Sequence, residues 1–280
     1  MALSRKHVRA AYEQACRLEI EALKPGNVHL FADGHGMTAE QFLLSAHVSA
    51  GPVTDPDLPV GRRILWAIRA TRKAVGTNTN LGIVLLAAPL ARAAEVTGGE
   101  LRENLSAVLD GLDMDDAGAV FEAIVLASPG GLGSAEHDVR EPPKVGLIEA
   151  MRAAAERDRI AHQYATDFDD IFGIGLPALD ASFSRGESEM WPAVSAYMAF
   201  LASFPDSHVA RIHGIETAGR VREEAVAVKI ALDAAADDAA RIRLLLEFDR
   251  RLKAQNINPG TSADLTVASL FVHIIRHRLA

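Results

Sequence analysis

Four polar segments of the sequence place asparagine, histidine, aspartate or basic residues beside glycine, and each adjoins an expected helix. The first covers residues 24–29 and reads KPGNVH. Lys24 could meet a phosphate group, while Asn27 and His29 could form hydrogen bonds to a sugar or a base. The same residues also suit the end of a helix, where Lys24 would lie near the negative end of the helix dipole. For this segment alone, the pattern favours the helix end.

The second segment covers residues 76–82 and reads GTNTNLG. Asn78 and Asn80 stand just before an apolar run, where asparagine is a good helix N-cap. Two asparagines and two threonines exceed what one cap requires, and free N–H groups at a buried helix start also bind anions. Two interpretations therefore stay open for these residues, helix capping and ligand binding.

The third segment covers residues 205–214 and reads PDSHVARIHG. If Asp206 caps a helix, His208 and Arg211 lie three residues apart and share a face. A carboxylate, an imidazole and a guanidinium group would then converge, and such a set can hold a metal-bound phosphate. The alternative is a capped surface turn with a solvated charge cluster. The histidines lack the spacing of ordinary zinc ligands, which argues against a zinc site.

The fourth segment covers residues 256–265 and reads NINPGTSADL. Thr261 and Asp264 resemble a capping box before an apolar helix, which explains the segment structurally. The same geometry would present the amides of Gly260 and Ser262 to an anion.

A Walker loop, a Rossmann fingerprint and a GxSxG elbow are all absent from the sequence, and the GGLG at residues 130–133 matches none of them.

Helical periodicity predicts the elements that position these segments, whereas the β-branched and aromatic runs typical of strands are scarce. Ser4, Thr38 and Asp113 are expected to cap helices. Polar loops are expected at 24–37, 51–59 and 127–144. Helices are expected at 4–23, 38–49, 60–75, 81–95, from 113 onward, and at 145–165, 190–204, 214–235, 238–254 and 262–279. The predicted fold class is all-α, with residues 1–280 in a single compact multi-helix domain whose four polar loops converge on one pocket.

Charge and composition narrow the classes of function. The formal net charge of −8 argues against a nucleic-acid partner, although a small phosphorylated ligand needs only a local basic pocket. Cys16 is the only cysteine, which excludes an intrachain disulfide and fits a reducing, cytoplasmic compartment. No uncharged apolar run reaches the roughly 20 residues of a membrane span. Alanine-rich helical enzymes commonly pair, which leaves a homodimer open.

Taken in order, KPGNVH, TNTNLG, DSHVARIHG and NPGTSADL resemble the triphosphoribosyl-dephospho-CoA synthase family, as does YATDFDDIFGIGLPAL at residues 164–179. The resemblance implies an all-helical enzyme that transfers the triphosphoribosyl group of ATP to the 2′-hydroxyl of 3′-dephospho-CoA and releases adenine. In the family, the product is the precursor of an acyl carrier protein prosthetic group. Mg²⁺ is expected with the triphosphate.

The sequence departs from the citrate-lyase type of the family, which usually reads NTHKG at residues 78–82 and PGGSADL near residue 260. The DSHVARIHG form is similar to an archaeal-like branch that also occurs with one-carbon pathways. Two alternatives therefore stay open. One is a divergent enzyme of the same family in the biosynthesis of a pterin- or furan-type one-carbon cofactor. The other is a non-catalytic helical nucleotide-binding protein.

The candidate site combines the four segments with the chemistry that the resemblance implies. Breaking the bond between adenine and ribose gives an oxocarbenium-like centre, which a carboxylate can stabilise. Asp206, Asp264 and His208 are the candidates for catalysis, and the two aspartates are also the candidates for magnesium. Asp138 and Asp170 are weaker candidates. The candidates for substrate binding are Lys24, Asn27, His29, Asn78, Asn80, Arg211, Asn258, Gly260 and Ser262.

Overall fold

A computed structural model describes residues 3–129 and 138–279, and within these residues the chain forms fourteen α-helices. The helices are α1 (Arg5–Glu21), α2 (Ala39–Val53), α3 (Val60–Val75), α4 (Leu81–Ala94), α5 (Leu101–Asp110), α6 (Met114–Ala127), α7 (Leu147–Ala154), α8 (Arg159–Ala165), α9 (Leu176–Ser184), α10 (Trp191–Ser203), α11 (Ser207–His213), α12 (Ile215–Asp233), α13 (Asp238–Ala254) and α14 (Gly260–Leu279). A π-helical turn at Ile171–Gly175 leads directly into α9.

Helices α4 and α14 lie at the centre of the fold. Twelve of the fourteen residues of α4 are buried, because its sequence is apolar on all sides and a helix of that kind requires protein around it. α14 packs against α1, α4 and α10. Most buried apolar side chains form one core that runs from Val8 on α1 to Ile275 on α14, and a small second cluster contains Ile20, Val28 and Ala39. The starts of both central helices therefore have fixed positions, and the second and fourth polar segments lie at these starts.

The predicted all-α class is confirmed, and so are most of the predicted helix starts. Thr38 forms a capping box with Gln41, and Asp113 forms one with Asp116. Ser4 immediately precedes α1, but its side chain makes no capping hydrogen bond to the helix backbone. Within the described residues, β structure is limited to two isolated bridges in the loop after α1, and none of the helices there could cross a membrane.

The predicted loop at 51–59 begins too early. α2 continues through Pro52 to Val53, because a proline in the last turn removes only one helical hydrogen bond. Thr54 follows the end of the helix, and both its N–H and its hydroxyl group donate to the carbonyl oxygen of Ala50.

The single helix predicted at 145–165 is two helices, α7 and α8. The Asp158 carboxylate accepts from the N–H groups of Ile160 and Ala161 and so starts a new helix there. Helices α5 and α9 were not predicted. The loop predicted at 127–144 is tested only at its two ends, because residues 130–137, which include GGLG, lie outside the described residues.

Candidate active site

A cavity of about 1380 Å³ lies where the N-terminal ends of α4, α8, α11 and α14 meet. Residues from all four polar segments line it, with apolar side chains of α6 and α7, such as Phe121 and Met151, on another part of the wall. The predicted residues that line the cavity are Asn27, Asn78, Asn80, His208, Arg211, Asn258, Gly260 and Asp264. Four predicted residues do not line it, namely Lys24, His29, Asp206 and Ser262.

Lys24 does not lie on the cavity wall, where a phosphate contact would require it. Its side chain is fully buried, and Nζ lies 2.6 Å from Glu19 Oε1 and donates to the carbonyl oxygen of Val28 at 2.6 Å. Burial lowers the pKa of Lys24, while the Glu19 carboxylate beside it favours the charged ammonium group. Because Nζ already bonds to groups inside the protein, Lys24 stabilises the loop and is not positioned to bind a ligand.

His29 is also buried away from the cavity. Its Nε2 lies 3.4 Å from Asp249 Oδ1 and 3.3 Å from the Nζ of Lys253, both on α13. Burial lowers the pKa of His29. Asn27, the third predicted residue of this segment, does reach the cavity and donates from Nδ2 to Asn258 Oδ1 at 2.7 Å. This bond joins the first polar segment to the fourth.

Asp206 lies behind the cavity wall with a hydrogen bond partner on each side. Oδ1 accepts from the N–H groups of His208 and Val209 at 2.9 and 3.1 Å, which caps α11. Oδ2 accepts from the N–H and the hydroxyl group of Ser262 at 2.7 and 2.8 Å, which ties α11 to the start of α14. Asp206 is 1% exposed and Ser262 is fully buried. The Ser262 amide, expected to face an anionic ligand, therefore binds an internal carboxylate.

Asp264 lies one turn into α14 and lines the cavity. Within the described residues, its carboxyl group makes no hydrogen bond to another side chain or to the backbone. Burial raises its pKa well above the ordinary value, and the negative charges of Glu19, Asp206 and Asp158 raise it further. The carboxyl group packs against the start of α4, since a methyl group at Gly82 would come within 2.1 Å of Asp264 Oδ2.

A basic corner of the cavity is formed by four side chains, which are His35, His208, Arg211 and His213. Arg211 Nη1 lies 3.4 Å from Asp158 Oδ2, which holds the guanidinium group at the wall. Burial lowers the pKa of His208, and the positive charge of Arg211 lowers it further, against the opposing effect of Asp206. Gly260 makes room for this imidazole, because a methyl group there would lie 2.6 Å from His208 Nδ1.

The two asparagines of the second segment differ in their hydrogen bonds within the protein. Asn78 caps α4, because its Oδ1 accepts from the N–H of Leu81 at 3.1 Å. Asn80 is buried and donates from Nδ2 to the hydroxyl oxygen of Ser49 at 3.2 Å. Both also line the cavity.

The two weaker candidates make ion pairs. Asp138 lines the cavity, and the Arg140 side chain beside it lowers the pKa of Asp138 to about 2. Asp170 is buried and accepts two hydrogen bonds of 2.6 Å from Arg159. This pair holds α8 onto the turn that follows it; Arg159 lines the cavity, whereas Asp170 does not.

The sequence prediction missed several polar residues of the cavity, among them Glu19, His35 and His213. Glu19 lies on the buried side of α1 with Tyr12, Ala15 and Cys16, so a charged residue at an apolar position of the helical pattern was the signal that could have found it. His35 and His213 lie next to glycines within the predicted loops, so their proximity to His208 depends on tertiary packing. His35 donates from Nε2 to the carbonyl oxygen of Gly26 at 2.7 Å.

The donor set for magnesium is smaller than the sequence predicts. Among residues 3–129 and 138–279, no group of three or more histidine, cysteine or acidic side chains lies close enough together to hold a metal ion. Both oxygens of Asp206 are used by backbone and hydroxyl donors, so this residue does not fit a magnesium site. Asp264 fits, because magnesium with a nucleotide triphosphate needs only one or two carboxylates beside the phosphate oxygens.

A family model, two curated proteins and a solved structure that match this chain all carry related descriptions. The model of the family CitG, described as ATP:dephospho-CoA triphosphoribosyl transferase, matches residues 5–280. A Pseudomonas putida protein named probable 2-(5''-triphosphoribosyl)-3'-dephosphocoenzyme-A synthase is 36% identical over 105 residues, which cover 38% of this chain and 37% of that protein. A protein of the same name from Pseudomonas paraeruginosa is 38% identical over 98 residues, which cover 35% and 33% of the two chains.

The matched stretch thus spans about a third of the length of these curated relatives. A solved structure from Archaeoglobus fulgidus, provisionally named triphosphoribosyl-dephospho-CoA synthase, superposes with a TM-score of 0.63 and 25% identity. That match covers 82% of this chain and 96% of the other, so the similarity extends over nearly the whole fold.

Proposed function

Because the chain belongs to the ATP:dephospho-CoA triphosphoribosyl transferase family, we propose that it transfers the triphosphoribosyl group of ATP to the 2′-hydroxyl of 3′-dephospho-CoA and releases adenine. The observation that carries this proposal is the single cavity of about 1380 Å³ shared by the four polar segments. Pockets for one drug-sized ligand usually measure roughly 300–1,000 Å³. A larger cavity with both polar and apolar walls suits two nucleotides bound side by side.

The reaction exchanges one bond at the anomeric carbon. The C1′–N9 bond of ATP breaks and its electron pair leaves with adenine, while a C1′–O bond forms to the acceptor hydroxyl group. The hydroxyl proton passes to a base, and the departing adenine takes up a proton. Positive charge develops at C1′ between these events, so a carboxylate nearby lowers the barrier. Two cavity carboxyl groups in the described residues, Asp264 and Glu156, make no hydrogen bond or ion pair there. Glu156 is exposed, whereas Asp264 lies in the wall against the start of α4, so we assign this role to Asp264. Magnesium and the charge at C1′ would favour its ionised form.

The basic corner suits the triphosphate. Arg211 and the three histidines supply positive charge or N–H donors, and the N-terminal ends of α4 and α14 add the positive ends of two helix dipoles. Magnesium would be held by triphosphate oxygens and, of the chain's side chains, by Asp264. When bound, the ion would neutralise part of the triphosphate charge.

His208 suits the role of the base that receives the acceptor's hydroxyl proton. Its lowered pKa keeps the imidazole neutral near pH 7, and a neutral imidazole has a free lone pair. The Gly260 backbone beside it leaves no side chain between the ring and the start of α14. Asn78 and Asn258 line the same cavity with amide groups that could orient a ribose or a base.

We expect the rate to fall at acidic pH with a midpoint below about 6.5, because protonation of His208 removes the base and burial lowers the pKa of this imidazole. His208→Gln should lower the rate by about 10²-fold and abolish this acidic limb. The measurement is the rate of adenine release between pH 5 and 8. His47→Gln, at an exposed histidine, serves as the control. An unchanged acidic limb in His208→Gln would exclude His208 as the base.

The function itself is tested by incubating the protein with ATP, Mg²⁺ and 3′-dephospho-CoA and measuring free adenine by chromatography. We expect adenine and a triphosphoribosylated acceptor in equal amounts. Adenine release with another acceptor, but none with 3′-dephospho-CoA, would favour the divergent enzyme of one-carbon cofactor biosynthesis. Binding of ATP without adenine release under any of these conditions would favour a nucleotide-binding protein without catalysis.

A further inference from the structure

A small recess adjoins the cavity between α1, α2 and the start of α4. Its volume is about 10 Å³, which is the room that one water-sized group needs. Four of its six lining residues also line the cavity, so a ligand in the cavity can extend one small group into the recess. The lining residues are Cys16, Glu19, Phe42, Ala46, Asn80 and Ile83.

Asn80 brings an unpaired hydrogen bond acceptor to this recess. Asn80 is 3% exposed, and its Oδ1 is buried without a hydrogen bond partner in the described part of the chain. An unpaired buried acceptor is costly, with a penalty of roughly 1–3 kcal/mol, unless a ligand supplies the missing donor. This atom therefore indicates a ligand contact that the protein alone does not satisfy.

The hydrogen bonds around Ser49 fix which end of the Asn80 amide faces the recess. The Ser49 hydroxyl group donates to the carbonyl oxygen of Ser45 at 2.7 Å, which uses its one proton. Its lone pairs then accept from the Tyr12 hydroxyl group at 2.8 Å and from Asn80 Nδ2 at 3.2 Å. Burial raises the pKa of Tyr12, so this donor keeps its proton. The amide nitrogen of Asn80 must face Ser49, which leaves Oδ1 on the other side.

Glu19 supplies a second acceptor to the same recess. It is 3% exposed, and Lys24 contacts its Oε1 at 2.6 Å. A carboxylate can accept about four hydrogen bonds, so this ion pair leaves acceptor capacity on Glu19. The other walls are carbon side chains and the buried thiol of Cys16, and these offer no strong donor.

A recess with two acceptors, no strong donor and room for one small group suits an amino group. An NH₂ group carries two donors, whereas a hydroxyl group carries one and a carbonyl oxygen carries none. We propose that Glu19 and Asn80 bind the exocyclic amino group of an adenine ring and thereby exclude 6-oxo purines. This inference rests on the proposed function, because both substrates of that reaction contain adenine.

The experiment measures equilibrium binding to the wild-type protein by calorimetry, so it needs no turnover. One arm compares ATP with inosine triphosphate, and the other compares 3′-dephospho-CoA with its hypoxanthine analogue. In one arm we expect the amino form to bind about 100-fold more tightly, because a carbonyl oxygen would face two buried acceptors. The arm that shows this ratio identifies which adenine enters the recess. Ratios within threefold in both arms would overturn the proposal.

Asn80→Ala tests the assignment to this recess. The variant should reduce the 100-fold ratio to about tenfold or less, because only Glu19 then opposes the carbonyl oxygen. Asn104→Ala is the control, since Asn104 bonds to the carbonyl oxygen of Gly98 and lines neither the cavity nor the recess; its ratio should equal that of the wild type. An unchanged ratio in Asn80→Ala would overturn the assignment. If that variant does not fold, Asn80→Ser replaces it.

The purine-binding experiment can succeed or fail independently of the adenine-release experiment that tests the proposed function. Adenine discrimination in wild type and its loss in Asn80→Ala would support the recess even if no adenine were released. Adenine release with equal use of both purines would support the transferase and overturn the recess.

Discussion

We expect Asp264→Asn to lower the rate of adenine release by about 10²- to 10⁴-fold while the protein stays folded. The amide has the same shape as the carboxyl group, and within residues 3–129 and 138–279 no donor bonds to Asp264. Burial and the charges of Glu19, Asp206 and Asp158 raise the pKa of Asp264 and so favour its uncharged form, which the amide resembles; the melting temperature should therefore stay the same or rise. The measurements are adenine release and thermal unfolding of both proteins. A variant that keeps half of the wild-type rate would exclude Asp264 from the reaction.

A second variant tests the position of the carboxyl group without removing it. Gly82→Ala places a methyl group within 2.1 Å of Asp264 Oδ2, so the carboxyl group must move and the rate should fall by at least tenfold. Gly219→Ala, on α12, is the matched control, because nothing lies within 4 Å of its added carbon. The control should keep the wild-type rate and gain up to about 1 kcal/mol of stability.

The second large effect concerns stability. We expect Asp206→Ala to lower the free energy of unfolding by about 3–5 kcal/mol, because it removes a helix cap and leaves the N–H and hydroxyl groups of Ser262 buried without a partner. The measurement is urea-induced unfolding. Asp113→Ala is the control, since Asp113 is an exposed N-cap without a bond to a second helix, and it should lose only about 1 kcal/mol.

Asp206→Asn distinguishes a structural from a chemical contribution of Asp206. The amide oxygen can still cap α11, but the amide nitrogen would face the N–H of Ser262, so the variant should lose about 1–3 kcal/mol. If Asp206 acted directly in the reaction, as the sequence suggests, the rate would instead fall by about 10²-fold or more with little change in stability. Measured together, unfolding and adenine release decide between these outcomes.

Much of the fold follows from the sequence, because helix caps and helical periodicity are local signals. Thr38 and Asp113 each form their capping box within four residues of sequence. α9 was not predicted because the π-helical turn at Ile171–Gly175 inserts an extra residue and breaks the 3.6-residue repeat. α5 does carry a pattern, with Leu101, Leu105 and Leu109 buried four residues apart, but Glu100 is an unusual cap for a helix start.

The site could be predicted from the sequence only in part. The four segments with suitable chemistry could be identified, but the direction in which each side chain points could not be predicted. Asp206 and Asp264 look alike locally, as both stand at helix starts beside small polar residues. Asp206 faces inward because its second partner, Ser262, lies 56 residues away in the chain. Lys24 faces inward because Glu19 on α1 binds it. Contacts of this kind depend on the packed helices and leave no local pattern.

The packing of α1 against α14 has a consequence for how the protein acquires its cavity during folding. Glu19 and Asp264 line the same cavity but are separated by most of the chain. Closing so long a loop costs entropy that local helix formation cannot supply, so this contact belongs among the later events of folding. During synthesis, the earlier helices emerge first and can pair with their neighbours, but the cavity cannot form before α14 arrives. Until then the apolar sides of α1 and α4 that α14 covers stay accessible to chaperones.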